Sequence, residues 1–374
     1  MRAAPPVLTV MESPLADARK ALFAANSLAG RSVPARLWHV PELIPGRTVT
    51  LLAGDGAVGK STLALQLGLA TALGRPWLGR MPRRGPVIYL SSEDDADELH
   101  RRAHDAAIFY DAGLEDLHAL HMWPLADQET LLGAARNGDP IESTPLYEEL
   151  ADAADGLEPV LLILDSLADV FGGEENSRPH ARQFIGLLRR LAIKHELAVV
   201  LLSHPSLSGL QSGSGMSGST AWNNSVRSRL YLEQPSAGAD ERDPDIRTLS
   251  LKKANYTRSI PDICLRRRIG GYAVEGGEAP ASLDRAAAQA KVDQTFLELV
   301  ASYSAQGRPV SARPGPNYAP ALFAKDASAK GASRTGLQAA MNRLMGAAKL
   351  REEEIGPASR RRHRLVQVSN EGAG

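Results

Sequence analysis

The eight residues Gly54-Asp55-Gly56-Ala57-Val58-Gly59-Lys60-Ser61 restrict this chain more than any other stretch. They fit G-x-x-x-x-G-K-[ST], a loop whose backbone N–H groups close around phosphate. The flanks fit too. Residues 48–53 (TVTLLA) are an unbroken run of strand length, and residues 61–73 (STLALQLGLATAL) read as a helix stopped by Gly74. Strand, glycine-rich turn and helix N-terminus together aim several N–H groups at one anion. Lys60 has the reach for the β- and γ-phosphates, and the Ser61 hydroxyl is a ligand for Mg2+. With Thr62 in the same first helical turn, residues 54–62 read as a nucleoside triphosphate site.

Apolar runs recur along the chain with helical stretches between them. Residues 87–91 (VIYLS), 160–164 (VLLIL) and 197–202 (LAVVLL) read as buried strands, and helices are expected over 96–111, 146–154 and 179–195. This alternation predicts an α/β domain with a mostly parallel sheet. Ligands in such sheets bind at the carboxyl ends of the strands, where Lys60, Glu93, Asp165 and His204 all fall. Residues 120–145 hold Pro and Gly without a period and read as an irregular insertion. Residues 38–45 (WHVPELIP) are expected to pack beneath the nucleotide site or over the base.

The chemistry-bearing residues each admit a plainer use. Asp165 ends a buried strand, where a carboxylate holds Mg2+ directly or through water, or merely caps a turn. Glu93 is placed to orient or deprotonate an attacking water, but Asp94 and Asp95 compete for that work, and all three suit a helix N-terminus. His204 either senses the γ-phosphate or is a hydrogen-bonded structural residue. After a Gly/Ser-rich stretch at 206–224, long for a connector, Arg227, Arg229, Lys252 and Lys253 flank short strand signals at 228–232 and 247–252. A cation arriving at a γ-phosphate stabilises transition-state charge. A solvated strand surface accounts for the same four residues equally well.

Composition narrows the classes further. Cys264 is the only cysteine, which excludes an intrachain disulfide and a cysteine metal cage and fits a reducing, cytoplasmic location. No apolar run approaches the ~20 residues of a membrane span, and the N-terminus lacks a signal pattern. The 374 residues suit two or three domains. They divide into an Ala/Pro-rich arm (1–35, amphipathic at 14–25), a core (36–275, closing on a hairpin at 263–274), a linker (276–290) and a small module (291–374). The formal net charge is zero, yet residues 284–374 carry 14 Lys+Arg against 8 Asp+Glu. A basic tail behind an acidic core marks an interaction surface. The module reads as two helices and a β-like end, an order that a winged helix would have, with Arg360, Arg361, Arg362 and Arg364 facing nucleic-acid phosphates.

Taken in order, GDGAVGKST, YLSSEDD, LLILDS, VVLLSHPS, GSTAWNNSVR and LKKANY resemble the segments of RecA-fold ATPases of the hexameric plasmid replicative helicase (RepA) type and their phage and prophage AAA-type relatives. The resemblance covers roughly residues 36–274. It implies a RecA-like α/β P-loop core with Lys60 and Ser61 on phosphate and Mg2+, Asp165 on Mg2+, Glu93 as catalytic base and His204 as γ-phosphate sensor. Arg227 matches an inter-subunit arginine finger, and Lys253 a second cation near the same interface. The glycine-rich loop matches a segment facing a central channel and nucleic acid. The activity implied is Mg2+-dependent ATP hydrolysis coupled to translocation on single-stranded DNA by a hexameric ring in DNA replication, with replication proteins as partners. Two other readings stand beside it: a recombination-mediator or clock-type ATPase of the same fold that does not unwind, and a nucleotide-switched DNA-binding regulator.

Overall fold

The computed structural model describes residues 22–136, 139–204, 220–235, 243–258, 260–276, 281–329, 332–355 and 362–368. Residues 1–37 and 38–374 are separate compact units. In the first, the described residues hold one 3-10 turn, Ala25–Leu28; the amphipathic stretch expected at 14–25 lies, up to residue 21, outside them.

The second unit opens with a hairpin, β1 (Trp38–Val40) and β2 (Ile44–Pro45). Then come β3 (Val49–Gly54), α1 (Lys60–Leu73), β4 (Val87–Ser91), α2 (Ala96–Phe109) and β5 (Leu120–Pro124). Short strands β6 (Gly133–Ala134) and β7 (Glu142–Ser143) precede α3 (Pro145–Leu157), β8 (Leu161–Asp165), α4 (Leu167–Val170), β9 (Phe171–Gly172), α5 (Arg178–Lys194) and β10 (Ala198–Ser203). Beyond residue 219, α6 (Thr220–Ser225) leads to β11 (Ser228–Glu233), β12 (Ile246–Ala254), β13 (Ile263–Arg268) and β14 (Gly271–Val274).

The nine-stranded sheet runs β14-β13-β12-β11-β3-β10-β8-β4-β5. From β11 to β5 every pairing is parallel, and β12, β13 and β14 extend the sheet antiparallel. This is the α/β class expected from the sequence, a large and mostly parallel sheet with helices on both faces. The covered faces explain the uninterrupted Val/Leu/Ile runs of β3, β8 and β10. Leu63 and Leu67 of α1 pack with Leu52 and Ile163 on one face. Phe184 and Leu188 of α5 pack with Leu51, Leu164 and Val199 on the other.

Three expectations are corrected or narrowed. Residues 120–145 are not wholly irregular, since β5 pairs in parallel with β4 from Val87↔Leu120 to Ser91↔Pro124. The segment LHMWP lacks β-branched residues and ends in proline, which an edge strand tolerates because one side has no ladder to serve. Of the two places expected for residues 38–45, beneath the site or over the base, the hairpin β1–β2 takes the first, with Val40, Leu43 and Ile44 sharing a core with Leu63 and Leu67 of α1. Its Leu43 carbonyl accepts from the Ser228 hydroxyl (2.7 Å), and Trp38, Glu42 and Pro45 lie beside Arg227, at the amino ends of β3 and β11. Residues 281–290, expected within a linker, belong to a long helix, α7 (Ala281–Ala305).

Helix α7 continues into α8 (Ala319–Phe323), α9 (Arg334–Gly346), β15 (Leu350–Ile355) and β16 (Arg362–Gln367). These elements share a core of their own around Phe296, Leu299, Phe323, Leu337, Leu344 and Leu365. Among the described residues no helix is long and apolar enough to cross a membrane.

Candidate active site

Between β3 and α1 the chain makes a tight phosphate-sized loop. Gly59 has φ 101°, and a Cβ there would come 1.9 Å from the Tyr272 hydroxyl, so both backbone and space require glycine. The Val58 carbonyl accepts two hydrogen bonds, from the Tyr272 hydroxyl (3.1 Å) and Arg247 Nε (3.0 Å). Tyr231 donates to Asp55 Oδ1 (3.0 Å). Gln66 of α1 joins the Tyr272 backbone at both its N–H (3.0 Å) and its carbonyl (2.9 Å). The antiparallel strands thus fasten the loop from the side. Buried bonds of this kind contribute about 0.5–1.5 kcal/mol each.

The Lys60 ammonium donates to the carbonyls of Gly54 (2.8 Å) and Asp55 (2.9 Å) and lies 3.3 Å from His204 Nδ1. Burial lowers the Lys60 pKa, against the raising effect of Asp165, Asp55 and Glu93. Asp165 is 5% exposed, and its Oδ2 accepts from the Tyr89 hydroxyl (2.7 Å). Burial, and next the charge of Asp165, hold the Tyr89 hydroxyl well above its usual pKa; it stays a donor. Lys60, Ser61, Thr62, Glu93, Asp165 and His204 line one cavity of about 450 Å3, a size suited to a small ligand.

A hydroxyl from Ser61 and a carboxylate from Asp165 form an oxygen donor pair that fits Mg2+, an ion whose shell is usually completed by waters and substrate phosphates. Among the described residues no group of three or more His, Cys, Asp or Glu side chains could hold a metal unaided.

The three acidic neighbours separate by geometry. Asp95 caps α2, accepting from the Glu98 N–H (2.7 Å). Asp94 pairs with Arg102 (2.9 Å), and burial raises its pKa despite that partner. Glu93 is exposed and lines the cavity. Sequence reasoning missed Arg102, Arg267 and Arg268, which also line it. The last two arrive because the β13–β14 turn lies against α2, where a Cβ on Gly270 would meet the Asp105 carbonyl at 1.9 Å. The Gly270-Gly271 pair was the available signal, though it marks a turn and not what the turn touches.

Arg227 and Lys253 are elsewhere. Arg227 is exposed just before β11, its N–H toward the Val49 carbonyl (3.5 Å). Lys253 donates to the Asn223 carbonyl (2.6 Å); burial, then the charge of Arg227, lowers its pKa. The registers Ser228↔Thr50 through Leu232↔Gly54 and Arg229↔Lys253 put both toward the amino end of β3, roughly 10 to 17 Å of strand from the loop. Neither lines this chain's cavity. Arg229 and Lys252 stand over the Tyr231 ring (5.7 and 5.8 Å). Trp222 of α6 is buried against Phe171 (4.9 Å between centroids) and donates to the Glu175 carbonyl (3.1 Å). The Gly/Ser-rich stretch, up to residue 219, lies outside the described residues. It joins His204, beside Lys60, to an anchored helix just ahead of Arg227.

A family model described as an AAA domain (AAA_25) matches residues 13–209. The DNA repair protein RadA of Synechocystis sp. is 25% identical over 177 residues, 46% of this chain and 31% of that protein. RadA of Halalkalibacterium halodurans is 25% identical over 195 residues, 51% of this chain and 34% of that protein. The chain spans about a third of the length of these curated relatives. Among solved structures, the KaiC-like protein PH0186 from Pyrococcus horikoshii OT3 superposes with a TM-score of 0.42 at 16% identity, covering 65% of this chain and 98% of that one.

Proposed function

The chain belongs to the AAA_25 family of AAA domains, and from that premise we propose that this RecA-like P-loop ATPase hydrolyses ATP with Mg2+ and couples turnover to movement along single-stranded DNA in a ring of like subunits. The observation that carries the reading is the separation of Arg227 from the phosphate-binding residues. Lys60, Ser61, Glu93, Asp165 and His204 line one cavity, whereas Arg227 is exposed at the opposite end of the sheet with Lys253 beside it. That separation supports donation of Arg227 to a neighbour's nucleotide.

Ser61 and Asp165 would hold the Mg2+, which offsets phosphate charge when bound. Lys60 exchanges the carbonyls of Gly54 and Asp55 for β- and γ-phosphate oxygens. Glu93 takes a proton from the water whose oxygen bonds to the γ-phosphorus as the bond to the β-phosphate oxygen breaks and ADP leaves. His204, 3.3 Å from Lys60, registers the loss of the γ-phosphate at the start of the Gly/Ser-rich segment.

The likeness to DNA repair protein RadA favours a second reading, a recombination or repair ATPase that remodels DNA without unwinding it. Steady-state ATP hydrolysis with and without single-stranded DNA tests what the two share, with stimulation expected. Strand displacement from a forked duplex then separates them. Absence of Mg2+-dependent hydrolysis in the presence of single-stranded DNA would overturn both.

A further inference from the structure

Open faces of surface helices ordinarily carry charge of both signs; that of α9 has no acidic residue. The helix buries Leu337, Ala340, Met341 and Leu344. Its other side exposes Thr335, Gln338, Ala339 and Asn342, a single stripe at spacings i, i+3, i+4 and i+7. No Asp or Glu occurs in its 13 residues. Arg334 opens the helix, 5.8 Å over the Tyr318 ring. Arg343, on the flank, is held by Asp293 (2.6 Å).

The surroundings give this helix a defined place. Between α7 and α8, the Val310 carbonyl accepts from the Leu365 N–H of β16 (2.8 Å), so this connection is tied to the β15–β16 hairpin. Helix, loop, helix, helix and hairpin follow one another in the order a winged helix would have, with α8 and α9 as its helix-turn-helix pair. In such pairs the second helix enters the major groove while the first crosses the backbone. Lys325, exposed just past α8, suits a phosphate there. The arginines of the hairpin tip are weaker candidates: Arg360 and Arg361 lie outside the described residues, and Arg364 is paired with Glu353 (2.9 Å).

We infer that α9 reads the major groove of double-stranded DNA, a binding site separate from the single-strand site of the ATPase. The primary amides of Gln338 and Asn342 each present a donor and an acceptor side by side, matching N7 and the N6 amine of adenine. The methyl groups of Thr335 and Ala339 suit thymine methyls. The surplus of basic over acidic residues in 284–374, 14 against 8, complements phosphate. A second copy of this chain fits the face poorly, because the stripe has no apolar centre of the kind that protein interfaces bury.

The test is selection by the full-length chain, without nucleotide, from a pool of randomised 20-base-pair duplexes, followed by sequencing of the retained fraction. The expected result is enrichment of a short common motif containing A·T pairs. Gln338→Ala/Asn342→Ala should bind the enriched duplex on the order of 10- to 100-fold more weakly, with circular dichroism, salt-dependent binding to unselected duplex and single-strand-stimulated ATPase unchanged. No motif with the wild-type chain, or the same motif and affinity with the double variant, overturns the inference. So does a double variant that loses self-association and keeps the motif, which would assign the face to a second copy. Because ATP hydrolysis is read separately, failure here leaves the ATPase reading standing, and the reverse also holds.

Discussion

Arg227 and Lys60 stand at opposite ends of two adjacent parallel strands: Arg227 precedes Ser228, which pairs with Thr50, whereas Lys60 follows the loop that begins beyond Gly54, the partner of Leu232. On the proposed reading, a finger so placed would act between chains. Arg227→Ala is expected to bind ATP nearly normally and hydrolyse it ~10³- to ~10⁵-fold more slowly. Mixed with Lys60→Ala it should regain turnover, since a Lys60→Ala subunit can lend its intact arginine to an intact loop next door. Co-assembled mixtures with no rescue at any ratio would transfer the role to the cavity's own Arg267 and Arg268.

Glu93 and Lys60 should fail in different ways. Glu93→Gln keeps size and loses the base, so ATP binding persists while hydrolysis stops. Lys60→Ala loses a cation for phosphate, and binding weakens along with turnover. Equilibrium binding of a fluorescent ATP analogue beside steady-state hydrolysis distinguishes them. Wild-type turnover by Glu93→Gln would place the base elsewhere, with Asp94 next to be tested.

Gly59 allows a paired test of the loop. In Gly59→Ala, the positive φ costs about 1–2 kcal/mol, and the methyl displaces the Tyr272 hydroxyl. Nucleotide affinity is expected to fall at least ~10-fold. Adding Tyr272→Phe removes the closest clash and should recover part of the loss, although it sacrifices the bond to Val58. An affinity for Gly59→Ala equal to that of the wild type would contradict this account.

The strand–loop–helix unit was legible because its levels agree: a buried apolar run, glycines where a Cβ cannot go, and a helix that begins on Lys60. Asp165 was equally plain, as the first polar residue after LLIL. The cavity's other wall was not. Arg247 and Tyr272 reach Val58 from 189 and 214 residues away, and local propensity carries no record of such a meeting. Arg267 and Arg268 resemble any solvated edge-strand cations until the turn at Gly270 is seen against α2. The strand β5 escaped notice because an edge position relaxes the demand for β-branched residues and tolerates proline.

His39 predicts an acid sensitivity. It is 2% exposed, with Nε2 3.0 Å from the Thr71 hydroxyl; burial, and then Arg83, push its pKa down from 6.5 to about 3. The unfolded chain therefore binds a proton that the folded chain refuses. The associated stability is complete above pH 6.5 and is lost progressively as pH falls from there toward 3. At pH 5.5 the loss from this group is about 1.4 kcal/mol. Urea unfolding at pH 7.5 and 5.5 should show it, and His39→Gln, which keeps a polar side chain for Thr71, should lack that increment. An identical pH response in the two proteins would exclude His39 as the source.

The clamp on Val58 also bears on the order in which the protein is made. A ribosome releases Gly54 through Ser61 about two hundred residues before it releases Tyr272, and Arg247 emerges little sooner. Throughout that interval the nascent chain carries the phosphate-binding motif without either donor that fastens it. A full grip on nucleotide is therefore expected only late in synthesis. It waits for the sheet to close its own edge, and a fragment truncated ahead of β12 would display the signature of the site without its grip.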